Sequence, residues 1–165
     1  MILRKKVLKM KLKTDNPLPV KTRLKELFGD WLFISSYLIS LFLLAMGFYN
    51  LILGGIPSFT EAQSHLLAFS TSVVPLTIIF AWLDYGKGSV GKRWAGLQLV
   101  YKHRSFAHSL LRSAIKFFPW QLGHMGAIRS VYQADELSIF LSTSAGILYF
   151  NQFLDNTLYY LSTIF

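Results

Sequence analysis

The sequence predicts an all-α protein: an integral membrane helical bundle with three transmembrane helices and one amphipathic interfacial helix. Of its 165 residues, 53% are hydrophobic and 15% are charged. The charges are segregated from long apolar runs, whereas a soluble domain would interleave the two. All 17 Lys and Arg residues fall within residues 1–25 and 87–129, where they flank the apolar runs. This distribution indicates topology signals and contacts with anionic lipid headgroups, and it does not predict a nucleic-acid partner.

Residues 1–20 are predicted to form a basic cytoplasmic arm in front of a transmembrane domain over residues 21–165. The arm begins MILRKKVLKMKLK and leads into Asp15, Asn16 and Pro17, whereas a cleaved signal peptide would continue directly into an apolar run. Its lysines are expected on the cytoplasmic leaflet, carried either by a short interfacial helix or by a disordered arm.

The first two apolar runs predict transmembrane helices over residues 31–53 and 66–83. Each run is uncharged and long enough to cross roughly 30 Å of hydrocarbon at about 1.5 Å per residue. The linker between them, residues 54–63, has Glu61 as its only charge and is expected outside the cell. Pro75 lies in the middle of the second run, where it is tolerated if a neighbouring helix or a Ser or Thr group bonds the freed carbonyl.

Residues 84–116 form a basic loop that the positive-inside rule assigns to the cytoplasm. Within it, residues 105–118 carry apolar side chains at three- and four-residue spacing and polar side chains on the other face. This pattern predicts an amphipathic helix along the membrane surface, with packing against the bundle as the alternative. The helix is expected to end at Pro119, followed by an interfacial turn up to Arg129 with Trp120 as its aromatic anchor.

A third transmembrane helix is predicted over residues 137–161. Ser138, Ser142 and Gly146 recur every four residues in it, a stripe of small residues that lets another helix approach closely. With three spans, the C-terminus is expected outside. Because three spans seldom enclose a water-filled path, a homo-oligomer or a larger membrane complex is expected as the working unit.

The candidate functional residues begin where the first span begins. Arg23, Glu26 and Asp30 share one helix face, and Tyr37 continues that face two turns later. Ionisable groups close to hydrocarbon are costly and therefore suggest function. One interpretation is a set of ion pairs at headgroup level. The other is a proton or cation site at Asp30, with Arg23 and Tyr37 beside it.

A glycine-rich segment, residues 86–93, follows the second span. Its two glycines, four residues apart and followed by Lys92, are similar to a phosphate-binding loop, but Arg93 stands where Ser or Thr would bind magnesium, and no β-strand precedes it. Binding of lipid phosphate by its amides and cations is favoured over nucleotide binding. The candidates for contact with lipid headgroups are Lys87, Lys92, Arg93, Arg112 and Lys116.

Catalytic chemistry is not predicted. The four histidines, at positions 65, 103, 108 and 124, show neither metal-ligand spacing nor an arrangement with a nucleophile, and the sequence contains no cysteine. We therefore expect no enzyme activity, no metal site and no cofactor. His124, close to Trp120, is the best candidate for a specific hydrogen bond.

A set of residues in this chain forms a pattern known from small bacterial membrane proteins: Arg23, Asp30, Gly91, Lys92, Gly96, Leu97, Pro119, Trp120 and His124. With them the chain resembles the RDD family, named for an arginine and two aspartates, over most of residues 21–129. For the second aspartate, Asp155 offers itself near the end of the chain, without the Gly-Thr that family members carry there.

The resemblance implies a protein of the bacterial cytoplasmic membrane, from a family suggested to transport small solutes, with cation/proton exchange proposed for some members. Two hypotheses follow. In the first, the protein contributes to ion or solute movement as an oligomer, with Asp30 binding the proton or cation and Arg23 tuning it. In the second, it is a non-transporting accessory or scaffold subunit that docks onto a larger membrane complex through its small-residue stripe and amphipathic helix.

Overall fold

A computed structural model describes residues 19–97 and 105–154, with side chains up to residue 152. The predicted basic arm, Asp155 and the end of the predicted third span lie outside these residues. Within them the protein is all-helical and contains no strand, as the sequence predicts. The helices are α1 (Val20–Ile52), α2 (Glu61–Ala68), α3 (Val74–Gly86), α4 (Val90–Trp94), α5 (Phe106–Tyr132) and α6 (Glu136–Leu154), with a π-helical segment, Phe69–Val73, joining α2 to α3.

The long helices alternate in direction, which is shown by the contacts at their ends. At one end, Ser109 near the start of α5 donates to the Ala81 carbonyl of α3 over 2.6 Å, and Gln152 of α6 reaches Ile115 of α5. At the opposite end, Tyr132 of α5 donates to the Phe59 carbonyl over 2.8 Å. The described residues therefore form four long helical runs: α1, the run from α2 to α3, α5 and α6.

The two ends of this bundle carry opposite charge. We call one the basic end; its Lys and Arg residues in the described chain are Lys21, Arg23, Lys25, Lys87, Lys92, Arg93, Arg112 and Lys116. We call the other the acidic end; its charged residues are Glu61, Arg129, Asp135 and Glu136. The segregation expected from the sequence is thus a property of the folded bundle.

Two helical runs are long and apolar enough to cross a membrane, Val20–Ile52 and Glu61–Trp94. They cover the first two predicted spans except for Leu53, and α1 begins 11 residues before the predicted start at Trp31. None of the most apolar 18-residue stretch of α1 is buried inside the protein. Leu44 and Leu51 are 72% and 87% exposed, so this helix turns its apolar surface outward.

Pro75 is accommodated in the way the sequence predicts. Proline has no N–H for the carbonyl four residues earlier, which is that of Thr71. The Tyr37 hydroxyl of α1 donates to this carbonyl over 2.6 Å. The helix widens to a π-helical turn just before the proline, where the Val74 N–H bonds the Phe69 carbonyl. A neighbouring helix therefore satisfies the freed carbonyl, and the run continues unbroken.

The prediction that a helix ends at Pro119 is wrong. Helix α5 continues through this buried proline as far as Tyr132, so the turn expected up to Arg129 is helical. The carbonyl freed by Pro119 belongs to Ile115, and the Gln152 side chain of α6 donates to it over 3.0 Å. At both prolines, a side chain from another helix therefore donates to the carbonyl that the proline leaves without a partner.

The amphipathic pattern over residues 105–118 is real, but its orientation is the reverse of a soluble helix. Ser109 and Ser113 are buried against the bundle, whereas Leu110, Leu111 and Phe118 are exposed. Phe117 is buried beside the two serines, so the inward face is mixed, whereas the exposed face is apolar and suits a lipid surround. The alternative of packing against the bundle therefore describes this helix.

The apolar core lies next to the polar groups of the basic end. Leu76 and Phe80 of α3 are fully buried together with Phe117 of α5. Phe80 and Phe117 meet edge to face with centroids 5.0 Å apart. Phe33 of α1 approaches Phe80 at 5.8 Å in the same geometry, so three helices meet at one ring.

Small residues bring α5 and α6 together. A Cβ at Gly126 would lie 2.9 Å from the Ser142 nitrogen and 3.0 Å from the Ser138 carbonyl oxygen. The predicted stripe is thus used by α5 at Ser138 and Ser142, whereas the space around Gly146 is open within the described residues. Ser138 and Ser142 therefore allow close packing of α5 and α6 within one chain.

We predict that Gly126→Ala destabilises the protein by about 1–3 kcal/mol, because the added methyl overpacks a backbone contact. Thermal unfolding in detergent measures this. Gly146→Ala is the matched control in α6 and should leave the unfolding temperature near that of the wild type. Equal stability of the two variants would contradict the close packing of α5 and α6.

Candidate functional site: an aspartate junction at the basic end

The site is built on a tight turn between α3 and α4. Gly88 has a φ of +98°, a backbone conformation that side chains disfavour. It positions Ser89 as the N-cap of α4, where the Ser89 hydroxyl accepts from the Lys92 N–H. Gly96, with a φ of +72°, follows the end of α4. The glycine-rich segment is therefore a folded turn that presents Ser89 and Lys92 to the bundle.

Asp30 of α1 is 2% exposed and accepts three hydrogen bonds. The Gly91 N–H donates to Oδ1 over 2.8 Å, the Ser89 hydroxyl to Oδ2 over 3.1 Å, and the Lys116 ammonium of α5 to Oδ2 over 2.5 Å. A buried carboxylate is tolerated only when such donors and a counter-charge surround it. Asp30 therefore ties α1 to α4 and to α5.

Asp84, at the end of α3, holds the second carboxylate. Lys92 donates to both of its oxygens, over 2.7 and 2.6 Å, and the Ser89 N–H donates to Oδ1 over 2.9 Å. The side chains of Lys92 and Asp84 are 4% and 2% exposed. Ser89, fully buried, bonds both aspartates. We refer to Asp30, Asp84, Ser89, Lys92 and Lys116 as the aspartate junction.

Two glycines allow the backbone approach that the aspartate junction needs. A Cβ at Gly29 would lie 2.7 Å from the Gly91 Cα, and a Cβ at Gly91 would overlap the Glu26 carbonyl oxygen. Only hydrogen fits at these positions, so α4 lies directly against the α1 backbone. Asp30 follows Gly29, which places its carboxylate over the turn.

Lys116 differs from Lys92 in its access to solvent. Its side chain is 22% exposed, while that of its partner Asp30 is 3% exposed. The ammonium also lies 4.6 Å from the Phe80 ring centroid, within the range of a cation–π contact. The Lys116–Asp30 pair is therefore less enclosed than the Lys92–Asp84 pair, in which both side chains are buried.

The structure separates the residues predicted for an ion site. Asp30, the residue predicted to bind the ion, lies in the aspartate junction. Tyr37 lies two turns away and bonds the Thr71 carbonyl, so it is not a partner of Asp30. Arg23 lies two turns before Asp30 on α1, within the part of the helix that carries the charged stripe. His124 does form a specific hydrogen bond, 3.1 Å from Nδ1 to the Trp120 carbonyl oxygen.

The predicted lipid contacts divide into two groups. Lys92 is buried against Asp84, which removes it from the candidates, and Lys116 is held by Asp30. Lys87 and Arg93 are exposed at the basic end, and Arg112 is half-buried there. The amides of Ser89 and Gly91 are bonded to carboxylates, so the expectation that amides of this turn hold a lipid phosphate fails for these two.

Asp84 and Ser89 are the junction residues that sequence reasoning missed. Asp84 was visible only as the charge that ends an apolar run. The signal that could have found it is the pair Asp84 and Lys92, two opposite charges flanking a glycine turn directly after a membrane-length helix, where both must find partners. Among the described residues, no group of His, Cys, Asp and Glu could hold a metal ion.

The acidic end has an ion cluster of its own. Arg129 donates to Asp135 with Nη2 and Oδ2 2.6 Å apart, and it lies 3.5 Å from a Glu61 oxygen. The hydrogen bonds from Arg129 lower the pKa of the Asp135 carboxyl below its ordinary value. This cluster joins the ends of α5 and α6 to the start of α2.

No protein-family model matches the sequence, and comparisons with curated proteins and with solved structures find no similar protein.

Removing one partner of the buried Lys92–Asp84 pair should lower the stability of the fold. We predict that Lys92→Met destabilises the protein by about 3–5 kcal/mol, because Asp84 is left as a buried charge without a counter-charge. Asp84→Asn in the same background should recover part of this loss. Lys87→Met, at an exposed position of the same turn, is the control. Unfolding in detergent measures all four proteins, and a Lys92→Met variant as stable as Lys87→Met would contradict the burial of the pair.

Proposed function

We propose that this chain is a small multi-pass protein of the bacterial cytoplasmic membrane, with its basic end in the cytoplasm. Support comes from the two helical runs of membrane-spanning length and from their outward apolar surfaces. The basic end carries eight of the nine Lys and Arg residues in the described chain, and only Arg129 lies at the acidic end. The positive-inside rule assigns such an end to the cytoplasm.

We further propose four passes in place of the three expected from the sequence. Helix α5 has 27 residues, about 40 Å at 1.5 Å per residue, and runs from the basic to the acidic end. Its polar residues make α5 less apolar than the first two runs, but Ser109, Ser113 and Lys116 face the bundle. Helix α6 then returns to the basic end, where Gln152 meets α5. Residue 154 accordingly lies on the cytoplasmic side.

Single cysteines test this topology directly, because the sequence contains none. Gln133→Cys, exposed in the turn between α5 and α6, should react in intact cells with a thiol reagent that cannot cross the membrane. Lys87→Cys should react only after the membrane is opened. A Gln133→Cys that is protected in intact cells would favour the three-span arrangement, since that places residue 133 in the cytoplasm.

The aspartate junction supports the RDD resemblance in a form that the sequence did not suggest. Asp30 and Asp84 are bridged by Ser89 at a single site, and Arg23 precedes Asp30 on the same helix. We therefore propose Arg23, Asp30 and Asp84 as the arginine and the two aspartates of this family. Asp84 replaces Asp155 in that role.

We propose that the Lys116–Asp30 pair is a proton- or cation-responsive site that contributes to ion movement. The observation that carries the proposal is the contrast between two buried aspartates. Asp84 is paired with the buried Lys92, whereas Lys116, the partner of Asp30, is partly exposed. An incoming cation can displace the Lys116 ammonium, and a proton can neutralise the carboxylate, while the rest of the aspartate junction stays in place. Ionisable groups held inside a membrane protein commonly serve in this way.

One observation favours the second candidate, a non-conducting accessory subunit. Next to Asp30, Phe80 and Phe117 fill the interior of the bundle. These apolar rings block a path for ions through a single chain. Transport would therefore require a path between chains in an oligomer. An accessory subunit would instead use its outward apolar faces to join a larger membrane complex.

Purified protein in vesicles separates the two candidates. With a cation gradient and an internal pH dye, wild-type vesicles should show flux above that of empty vesicles. Asp30→Asn should reduce the flux to the level of the empty vesicles, because the carboxylate that binds the ion is gone. Lys116→Gln should retain flux with a changed dependence on cation concentration, since the competing ammonium is absent.

Asp135→Asn is the control, because it alters another ion-paired aspartate, which lies at the acidic end. Its flux should equal that of the wild type. Thermal unfolding of each variant shows whether it is folded. Equal leak through folded wild type and folded Asp30→Asn would overturn the transport proposal and support the accessory role.

A further inference from the structure

A groove on the outside of the protein lies beside the aspartate junction and is not used by it. It runs between α1 and α4 and has a volume of about 330 Å³. Its lining is mainly apolar and consists of Gly29, Leu32, Phe33, Ser36, Val90 and Trp94. The α1 positions recur at three- and four-residue spacing, so the groove follows the helix axis for about 10 Å. A groove of this form suits an extended apolar chain.

The end of the groove near the start of α1 is marked by a cation and by aromatic rings. The Lys25 ammonium lies 5.5 Å from the Trp94 ring centroid, within the range of a cation–π contact. Phe28 is stacked on Trp31 with ring centroids 5.8 Å apart, and its ring is tilted relative to that of Trp94, 6.0 Å away. Exposed aromatic residues of this kind collect at the level of lipid headgroups. Arg93, next to Trp94, adds a second exposed cation.

We propose that this groove binds one anionic phospholipid of the cytoplasmic leaflet. The headgroup phosphate is held at Lys25, and one acyl chain lies along Leu32 and Ser36 toward the middle of the membrane. Charge and polarity both select this ligand, because a cationic mouth opens onto an apolar channel in the direction in which a lipid of that leaflet points. The inference rests on the proposed membrane placement and is independent of ion movement.

The order of the contacts along α1 supports this orientation. Lys25 lies one turn before Gly29, where the groove begins, and Ser36 lies near its far end. The Ser36 hydroxyl is already bonded to the Leu32 carbonyl over 2.8 Å, so it does not call for a polar ligand. Polar recognition is therefore confined to the Lys25 end, as a phospholipid requires.

Native mass spectrometry of the detergent-purified full chain, titrated with phosphatidylglycerol or phosphatidylcholine, tests the proposal. Wild-type protein should bind one phosphatidylglycerol in preference to phosphatidylcholine. Lys25→Gln should weaken phosphatidylglycerol binding about fivefold, the effect of one cation near an anionic headgroup. It should weaken phosphatidylcholine binding less, because the choline cation offsets the charge of the phosphate. Lys25→Arg keeps the charge and should bind like the wild type.

A second pair of variants tests the apolar channel. Ser36→Phe fills the groove and should weaken binding of both lipids. Ser40→Phe is the matched control, because Ser40 makes the same bond to the carbonyl four residues earlier and lies one turn beyond the groove lining. Similar binding by these two variants, or by Lys25→Gln and Lys25→Arg, would overturn the proposal.

The outcome can be separated from that of the flux experiment. Preferential phosphatidylglycerol binding by a protein that shows no flux would refute the transport proposal alone. Flux that depends on Asp30, in a protein without lipid preference, would refute the lipid site alone.

Discussion

A carboxylate buried away from water needs donors and a counter-charge, and the arrangement of this bundle depends on meeting that need twice. Asp30 and Asp84 lie on different helices, and the hydroxyl and the amide of Ser89 connect them. The lysines that neutralise them come from α4 and α5. Removing either lysine leaves a buried carboxylate without its counter-charge, and removing the Ser89 hydroxyl takes a hydrogen bond from Asp30. The junction therefore sets which helices are neighbours at the basic end.

The features that could be predicted from the sequence are those that a single helix displays. The apolar runs, the segregation of charge and the position of Asp30 beside the first of them are all local. Asp84 was not recognised as a site residue because its importance comes from the turn that follows and from α1, 54 residues earlier in the chain. Gly29 and Gly91 likewise acquire their meaning only when two backbones touch.

Helix α5 shows how a correct pattern can lead to a wrong structure. Its spacing of apolar residues indicates two faces, and the structure has both of them. The orientation is what the pattern leaves open, since a polar face can lie toward water or toward a polar interior. Pro119 does not end the helix, because its freed carbonyl finds a partner on another helix, as that of Pro75 does. The Ile115 carbonyl accepts from Gln152, 37 residues further along the chain. The residues around Pro119 do not indicate this contact.

The two proline carbonyls have a consequence for biogenesis. A run containing Pro75 that entered lipid by itself would expose the Thr71 oxygen to hydrocarbon, and α5 by itself would expose the Ile115 oxygen. Tyr37 precedes its target in the chain and is synthesised in time to meet it. Gln152 follows its target, so α5 lacks its partner until α6 has been made. In the proposed four-pass arrangement, α5 and α6 are therefore expected to enter the bilayer together as one hairpin, after residue 152 has been synthesised.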